Sequence, residues 1–143
     1  TVERQTQTRI TGPKQLLPLR RIDMQEMPDV ALTLIAMSPL LAEPIEINGL
    51  QSLHYKECDR LECPATEMRA MGIELSTTHD SIVVSPLGKL EPEIHTLNTY
   101  HAHRMAMAFA ARASAHGTLT IDDKAVVNKT YPAFWDDYER LQS

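Results

Sequence analysis

Pro28-Asp29-Val30-Ala31-Leu32-Thr33-Leu34-Ile35-Ala36-Met37, followed by Ile45-Glu46-Ile47-Asn48-Gly49, decides the fold class of this chain. Pro28 opens a helix at the position where its missing N–H is no loss, and Asp29 falls in the first turn, where the macrodipole favours a carboxylate. The helix is apolar on nearly every side, which predicts burial. Ile45 and Ile47 alternate around Glu46 as a short strand that ends at Asn48-Gly49. A polar loop over 51–56 then feeds a helix over about 59–71, stopped by Gly72.

Working outward, residues 73–75 and 81–84 read as two strands of a hairpin joined by the polar turn 77–80. A further strand is predicted over 91–98. From His103 an Ala- and Met-rich helix runs to about Ala115 and is stopped by Gly117; 118–121 makes a strand and 132–141 a closing helix. Helices and strands alternate throughout, so the chain is α/β (α+β). Residues 1–12 are polar and show no clear hydrophobic period.

Residues 27–72 and 99–143 share one order: buried helix, short strand, loop with a lysine, second helix. This reads as an internal repeat within a single unit over 1–143. Two such units packed together bring their helix starts to one edge, so residues far apart in sequence converge on one cleft.

The chain has 143 residues, 14 Lys and Arg against 19 Asp and Glu, a net charge of -5 and a pI near 5.6. That balance argues against a general nucleic-acid or membrane-surface binder, which needs a basic face. The apolar run over 30–42 is interrupted by Thr33, Ser38 and Pro39 and is too short to span a bilayer as a helix. Two cysteines, Cys58 and Cys63, do not make a disulfide framework and favour a reducing, cytoplasmic setting. No secretory leader is visible, and the start at Thr1 reads as an internal cut in a longer polypeptide.

Lys56-Glu57-Cys58-Asp59-Arg60, His103-Arg104-Met105-Ala106-Met107-Ala108-Phe109 and Lys129-Thr130-Tyr131-Pro132 each place cations at a predicted helix start. Such placement is unfavourable unless an anion binds between them. Read alone, the 56–60 segment is a solvated helix start with a local ion pair. Read with the repeat, Lys56, Arg60, Arg104 and Lys129 form a clamp for phosphate and carboxylate groups. Asp29 and Glu57 are the nearest carboxylates and are positioned for proton transfer at a reacting carbon, although Asp29 equally fits a helix-capping role.

His101 and His103, with His54 and His95, carry a His-x-His spacing but lack a clear third metal ligand. Cys58 and Cys63 fall outside paired-ligand spacing and read as a packed residue and a surface thiol. The Met105, Met107, Phe109 stripe reads as core.

At these segments, in this order, the chain resembles the carboxy-terminal part of 5-enolpyruvylshikimate-3-phosphate synthase, with Met27-Pro28-Asp29, Gly49-Leu50 and Thr99-Tyr100 adding to the match. The resemblance implies the enolpyruvyl transferase fold of repeated βαβαββ units, of which about two are present. It implies transfer of the enolpyruvyl group of phosphoenolpyruvate to shikimate 3-phosphate with release of phosphate, in aromatic amino acid biosynthesis, without metal or organic cofactor. By motif position Asp29 and Glu57 are the implied catalytic residues. By the same resemblance Asp29 and Lys56 contact shikimate 3-phosphate, Arg60, Arg104 and Lys129 hold phosphoenolpyruvate, Ser52 is a further substrate-binding position, and His103 supports them.

Two positions depart from the family pattern: Ala102 stands where Asp usually precedes the His-Arg pair, and Ser52 where Asn is often found. The resemblance covers about the last third of a two-domain enzyme whose site lies between its domains. The expectation is therefore a partial carboxy-terminal domain that is inactive without the missing amino-terminal part and that self-associates through uncovered apolar surface. The competing reading is a stand-alone, non-catalytic anion-binding or scaffold module derived from that fold.

Overall fold

The computed structural model describes residues 2–4, 8–11, 18–88, 95–115 and 119–142. Its strands are β1 (Val2–Arg4), β2 (Thr8–Ile10), β3 (Arg21–Asp23), β4 (Ile45–Asn48), β5 (Leu75–Thr77), β6 (Ile82–Val84), β7 (Thr96–Leu97) and β8 (Thr120–Ile121). Its α-helices are α1 (Pro28–Met37), α2 (Glu62–Ala70), α3 (His103–Ala113) and α4 (Phe134–Gln142). Short 3-10 turns occupy Ser38–Leu40, Gln51–Tyr55 and Lys124–Val127.

The alternation around Glu46 is realised as β4, whose Ile45 and Ile47 are fully buried in a four-stranded sheet of order β3-β4-β6-β5. Strand β3 runs parallel to β4, with Arg21 opposite Glu46, and their side chains pair at 2.8 Å. Strand β6 runs antiparallel to both β4 and β5. A parallel pair needs a crossover, and α1 supplies it between β3 and β4. Strands β7 and β8 are likewise parallel, with α3 between them.

Helix α1 buries Ala31, Leu32, Ile35 and Ala36, the spacing of one helical face, against α3. Helix α3 answers with Met105, Ala108 and Phe109, which join the buried α1 residues in one core cluster, Phe109 being its largest side chain. Each fully buried Leu or Ile contributes about 1.5–3 kcal/mol. Because α1 and α3 are locked face to face, their first turns lie side by side.

Gly49 sets the next feature. Its φ is +75°, and a Cβ there would come within 2.3 Å of Asp23 Oδ1 and 2.6 Å of the Gln25 backbone nitrogen. Only glycine lets β4 leave the sheet beneath the 23–25 turn and launch the turn Gln51–Tyr55 towards α2.

Several boundaries differ from the sequence reading. Helix α2 starts at Glu62 rather than 59, because Asp59 stays outside the helix and caps it. The polar segment at the amino terminus contains the antiparallel pair β1 and β2, and β3 was not expected either. These strands are three residues long, too short for alternation to register. Of the strand expected over 91–98, Thr96–Leu97 is β7, while residues 91–94 lie outside the described residues, as do Gly117 and Thr118.

Candidate active site

Four segments meet at one side of the α1 and α3 first turns. Asp29 comes from α1, Lys56, Glu57 and Arg60 from the loop ahead of α2, His103 and Arg104 from α3, and Lys129 from just beyond the turn Lys124–Val127. Asp29 Oδ1 accepts from Arg60 Nη1 at 2.8 Å and lies 3.9 Å from Lys56 Nζ. Asp29 Oδ2 lies 3.5 Å from Arg104 Nη2, whose Nη1 donates to the Asp29 carbonyl at 3.1 Å. Glu57 Oε1 accepts from Lys129 Nζ at 2.6 Å, and Glu57 Oε2 lies 3.8 Å from Arg60 Nη2 and 3.7 Å from His103 Nδ1.

Arg60 therefore bridges the two carboxylates, and it is buried, whereas both carboxylates are partly exposed. Four cations against two carboxylates leave a surplus of two positive charges in a chain whose net charge is -5. Arg60 Nε, Arg104 Nε and His103 Nδ1 are buried without hydrogen-bond partners among the described residues. Unsatisfied donors of this kind, gathered at one place, are what an oxyanion would complete.

The electrostatics separate the proton-carrying groups. The hydrogen bond from Lys129 holds the Glu57 carboxyl below its ordinary value, against the opposing effect of burial and with the Lys129 and Arg60 charges adding to it, so Glu57 is ionised. Burial lowers His103 from its ordinary value, against the pull of Glu57 and with the Lys129, Arg104 and Arg60 charges acting in the same direction as burial, so its imidazole is neutral near pH 7. His103 Nδ1 lies 3.7 Å from Glu57 Oε2, so a proton passes between them only once that gap closes to hydrogen-bond distance or a water bridges it.

Burial raises the Cys58 thiol, and burial with the neighbouring Cys58 pushes Cys63 up to about 12. Both are half-buried, protonated and poorly nucleophilic, so Cys63 is not the surface thiol expected.

Two expectations are corrected. Asp29 does not cap α1: the cap position is Met27, with no side-chain bond, and the Asp29 carboxylate turns instead towards three cations. The cations also do not gather because they stand at open helix starts. Asp59 Oδ1 accepts from the Leu61 and Glu62 nitrogens at 3.0 and 2.9 Å and closes the start of α2, while Lys56 and Lys129 each follow a 3-10 turn. Only Arg104 sits in an α-helical first turn. Ion pairing to Asp29 and Glu57 is what draws the four cations together.

Ser52 is exposed on the turn Gln51–Tyr55, and no hydrogen bond joins it to this cluster among the described residues. Two groups near the site have structural roles that the sequence reading did not assign. His54 joins Asp59 to the carbonyl of His79, both at 2.7 Å. Glu67 sits on the core face of α2 beside Pro64, Ala65 and Met68. A carboxylate in phase with buried residues was the available signal for Glu67.

The fold and the cluster together define an α/β module with four cations gathered around two carboxylates on one side. The sequence model of EPSP synthase (3-phosphoshikimate 1-carboxyvinyltransferase) matches residues 1–138, and the chain belongs to that family. A 3-phosphoshikimate 1-carboxyvinyltransferase of Bacteroides fragilis is 41% identical over 119 residues, covering 82% of this chain and 29% of the relative. One from Nostoc punctiforme is 37% identical over 134 residues, covering 94% and 30%. The EPSP synthase structure from Acinetobacter baumannii superposes with a TM-score of 0.73 at 26% identity, covering 85% of this chain and 30% of that one. The chain thus spans about three-tenths of the length of these relatives.

Proposed function

We propose that this chain supplies one wall of an enolpyruvyl transferase site that joins phosphoenolpyruvate to the 5-hydroxyl of shikimate 3-phosphate and releases phosphate. The observation that carries the reading is the surplus of two positive charges on a framework of two carboxylates. Both substrates are polyanions, and each partly replaces Asp29 or Glu57 as counter-ion when it binds.

In this reading Arg60, Arg104 and Lys129 hold the phosphate and carboxylate of phosphoenolpyruvate, and Lys56 and Asp29 face shikimate 3-phosphate. Asp29 draws the proton from the 5-hydroxyl as its oxygen attacks C2 of the enolpyruvyl group, while C3 gains a proton that Glu57 first takes up from solvent and then passes on. Loss of a C3 proton and departure of phosphate from C2 then restore the double bond. The clamp lowers the barrier by fixing the reactants and by stabilising phosphate as it leaves. His103 supports Glu57 as proton partner. Ser52, exposed on its turn, is assigned to substrate binding by family position only.

Exposed Met27, Val30, Tyr55 and Tyr131 each stand within two residues of a cluster member. An apolar rim around a charged centre supports a second protein wall, the amino-terminal part of the enzyme, closing over the site. The pattern of helix, strand, 3-10 turn and helix, seen over 28–70 and again over 103–142, supports reading the chain as two copies of one unit. A cytoplasmic location belongs to the same reading.

Calorimetric titration of the chain with phosphoenolpyruvate tests it. Arg104→Ala or Lys129→Ala is expected to weaken binding about 10- to 100-fold, the value of a charge-assisted hydrogen bond. Unchanged affinity in both removes the clamp. Phosphate release by the chain alone, given both substrates, would overturn its dependence on a second wall. Phosphoenolpyruvate binding that persists without any turnover after the second wall is supplied would instead favour a non-catalytic module, to which the substitution at Ala102 gives some support.

A further inference from the structure

The buried carboxylate of Glu67 takes no part in the proton or anion chemistry above, yet it is 5% exposed and accepts three hydrogen bonds. Tyr100 Oη donates to Oε1 at 2.8 Å, and His95 Nε2 and the Asn98 backbone nitrogen donate to Oε2 at 2.8 and 3.1 Å. All three donors belong to one segment, residues 95–100, which leads into α3. A carboxylate on a core face is costly unless fully bonded, and an apolar residue would fill the position without that cost. Its retention points to what it holds.

What it holds is strained. Tyr100 and His101 both adopt left-handed backbone, with φ of 51° and 56°. Consecutive non-glycine residues persist there only where the surroundings over-determine them. Around this turn Asn98 Oδ1 accepts from the Tyr100 nitrogen at 2.8 Å, and Asp122 Oδ1 accepts from the Thr99 nitrogen at 3.0 Å. The turn delivers the chain to Ala102, and the next two residues are His103 and Arg104. Glu67 itself lies two turns along from Arg60. One side chain thus ties the element that follows Arg60 to the turn that aims Arg104.

We infer that Glu67 is a positioning residue that holds the 95–101 turn in its left-handed form and thereby sets the reach of His103 and Arg104 towards Glu57 and Asp29. Tyr100 is its principal partner. Burial, with the Glu67 charge, raises the Tyr100 phenol, so it remains a donor at working pH. Relaxation of the turn would rotate the first turn of α3 and lengthen the Arg104 contacts with Asp29, now 3.1 and 3.5 Å.

The test uses Tyr100→Phe, Glu67→Gln and Glu67→Ala, with Val84→Ala as a control that removes core contacts elsewhere. Nitrogen-15 NMR reads the Arg104 Nε and His103 ring resonances without ligand, urea unfolding reads stability, and titration reads phosphoenolpyruvate affinity. The affinity readout rests on the proposed function; the resonances do not. Tyr100→Phe is expected to shift both resonances and weaken phosphoenolpyruvate binding about 3- to 10-fold, the worth of one hydrogen bond. Glu67→Gln, which still accepts from Tyr100, is expected to fall between wild type and Glu67→Ala.

Val84→Ala is expected to lose at least as much stability as Tyr100→Phe and to move neither resonance. Unmoved resonances in Tyr100→Phe and Glu67→Gln, or equal movement in Val84→Ala, would overturn the inference. If Glu67→Ala fails to fold, Tyr100→Phe still decides. If wild type does not bind phosphoenolpyruvate, the functional reading fails while the resonances still decide the positioning role.

Discussion

Arg60 and Asp29 form the closest cation–carboxylate contact at the Asp29 end of the cluster, with Arg60 Nη1 2.8 Å from Asp29 Oδ1. The pair is lopsided: the Arg60 side chain is 7% exposed and that of Asp29 is 53% exposed. The guanidinium has lost its water and depends on the carboxylate, while the carboxylate remains open to exchange partners. Such an arrangement keeps a buried cation stable until an anionic ligand takes over as counter-ion.

Asp29→Asn should therefore destabilise the chain. Removing one partner of a buried pair costs about 3–5 kcal/mol, and the exposure of Asp29 reduces this to about 1–2 kcal/mol here. Urea unfolding measures the loss. Added inorganic phosphate should raise the midpoint of the variant more than that of wild type, since it restores a negative charge beside Arg60. An equal rise in both would mean that phosphate does not reach this place.

Two histidines should give opposite pH dependences. Both ring nitrogens of His54 face acceptors, Asp59 Oδ2 and the His79 carbonyl, so both donate and the ring is an imidazolium. Its pKa is raised above 6.5, first by the Asp59 bond and then by the His79 carbonyl, with Glu62 adding a smaller pull. The stability it supplies is complete below the unfolded value and is lost as pH rises through the folded one. His103 is lowered from 6.5 by burial, so the unfolded chain takes its proton first and stability falls as pH drops below that value. Unfolding curves from pH 5 to pH 9 for His54→Gln and His103→Gln, each subtracted from wild type, should slope in opposite directions. Parallel slopes would contradict the assignment.

Long periodic segments made most of this fold legible. The 28–37 helix, the Ile45 and Ile47 strand and the Met- and Ala-rich helix from His103 are each governed by a pattern long enough to repeat. The three-residue strands β1 and β3 depend on pairing with distant residues and carry no period of their own. At the site, the identities of the convergent residues were legible but the cause of convergence was not. Helix starts were expected to gather Lys56 and Lys129, whereas the side chains of Asp29 and Glu57 do so. Asp59 looked like one more charge in a run, but local backbone geometry makes it the cap of α2. Glu67 and His54 matter through partners 28 and 25 residues away in His95 and His79, a relation that spacing does not encode.

Arg112 offers a gain rather than a loss. Its half-buried guanidinium donates to the Met71 sulfur, Nε has no partner among the described residues, and burial lowers its pKa. A thioether is a weak acceptor and supplies no counter-charge. Arg112→Met keeps an unbranched stem, removes the uncompensated charge and should raise stability by about 1 kcal/mol in urea unfolding. A loss of similar size would show that the packed stem of Arg112 outweighs its unpaired head.

Ala102 is the cap position of α3, with extended backbone at φ −107° and ψ 113°, and it offers no side-chain acceptor to the first turn. That turn contains Arg104 and no acid, so a positive side chain stands at the positive end of the helix. Ala102→Ser adds an acceptor for a first-turn N–H and should stabilise the chain by about 0.5–1 kcal/mol. Ala102→Asp adds the same acceptor and a charge beside Arg104, so it should stabilise the free chain at least as much. The two variants should part when phosphoenolpyruvate is added. Serine leaves the Arg104 charge free for ligand and should preserve affinity, whereas aspartate competes as counter-ion and should weaken it. If Ala102→Ser instead lowers the unfolding midpoint, the fully buried methyl group is filling space that a hydroxyl cannot share, and α3 gains more from packing at its start than from a cap.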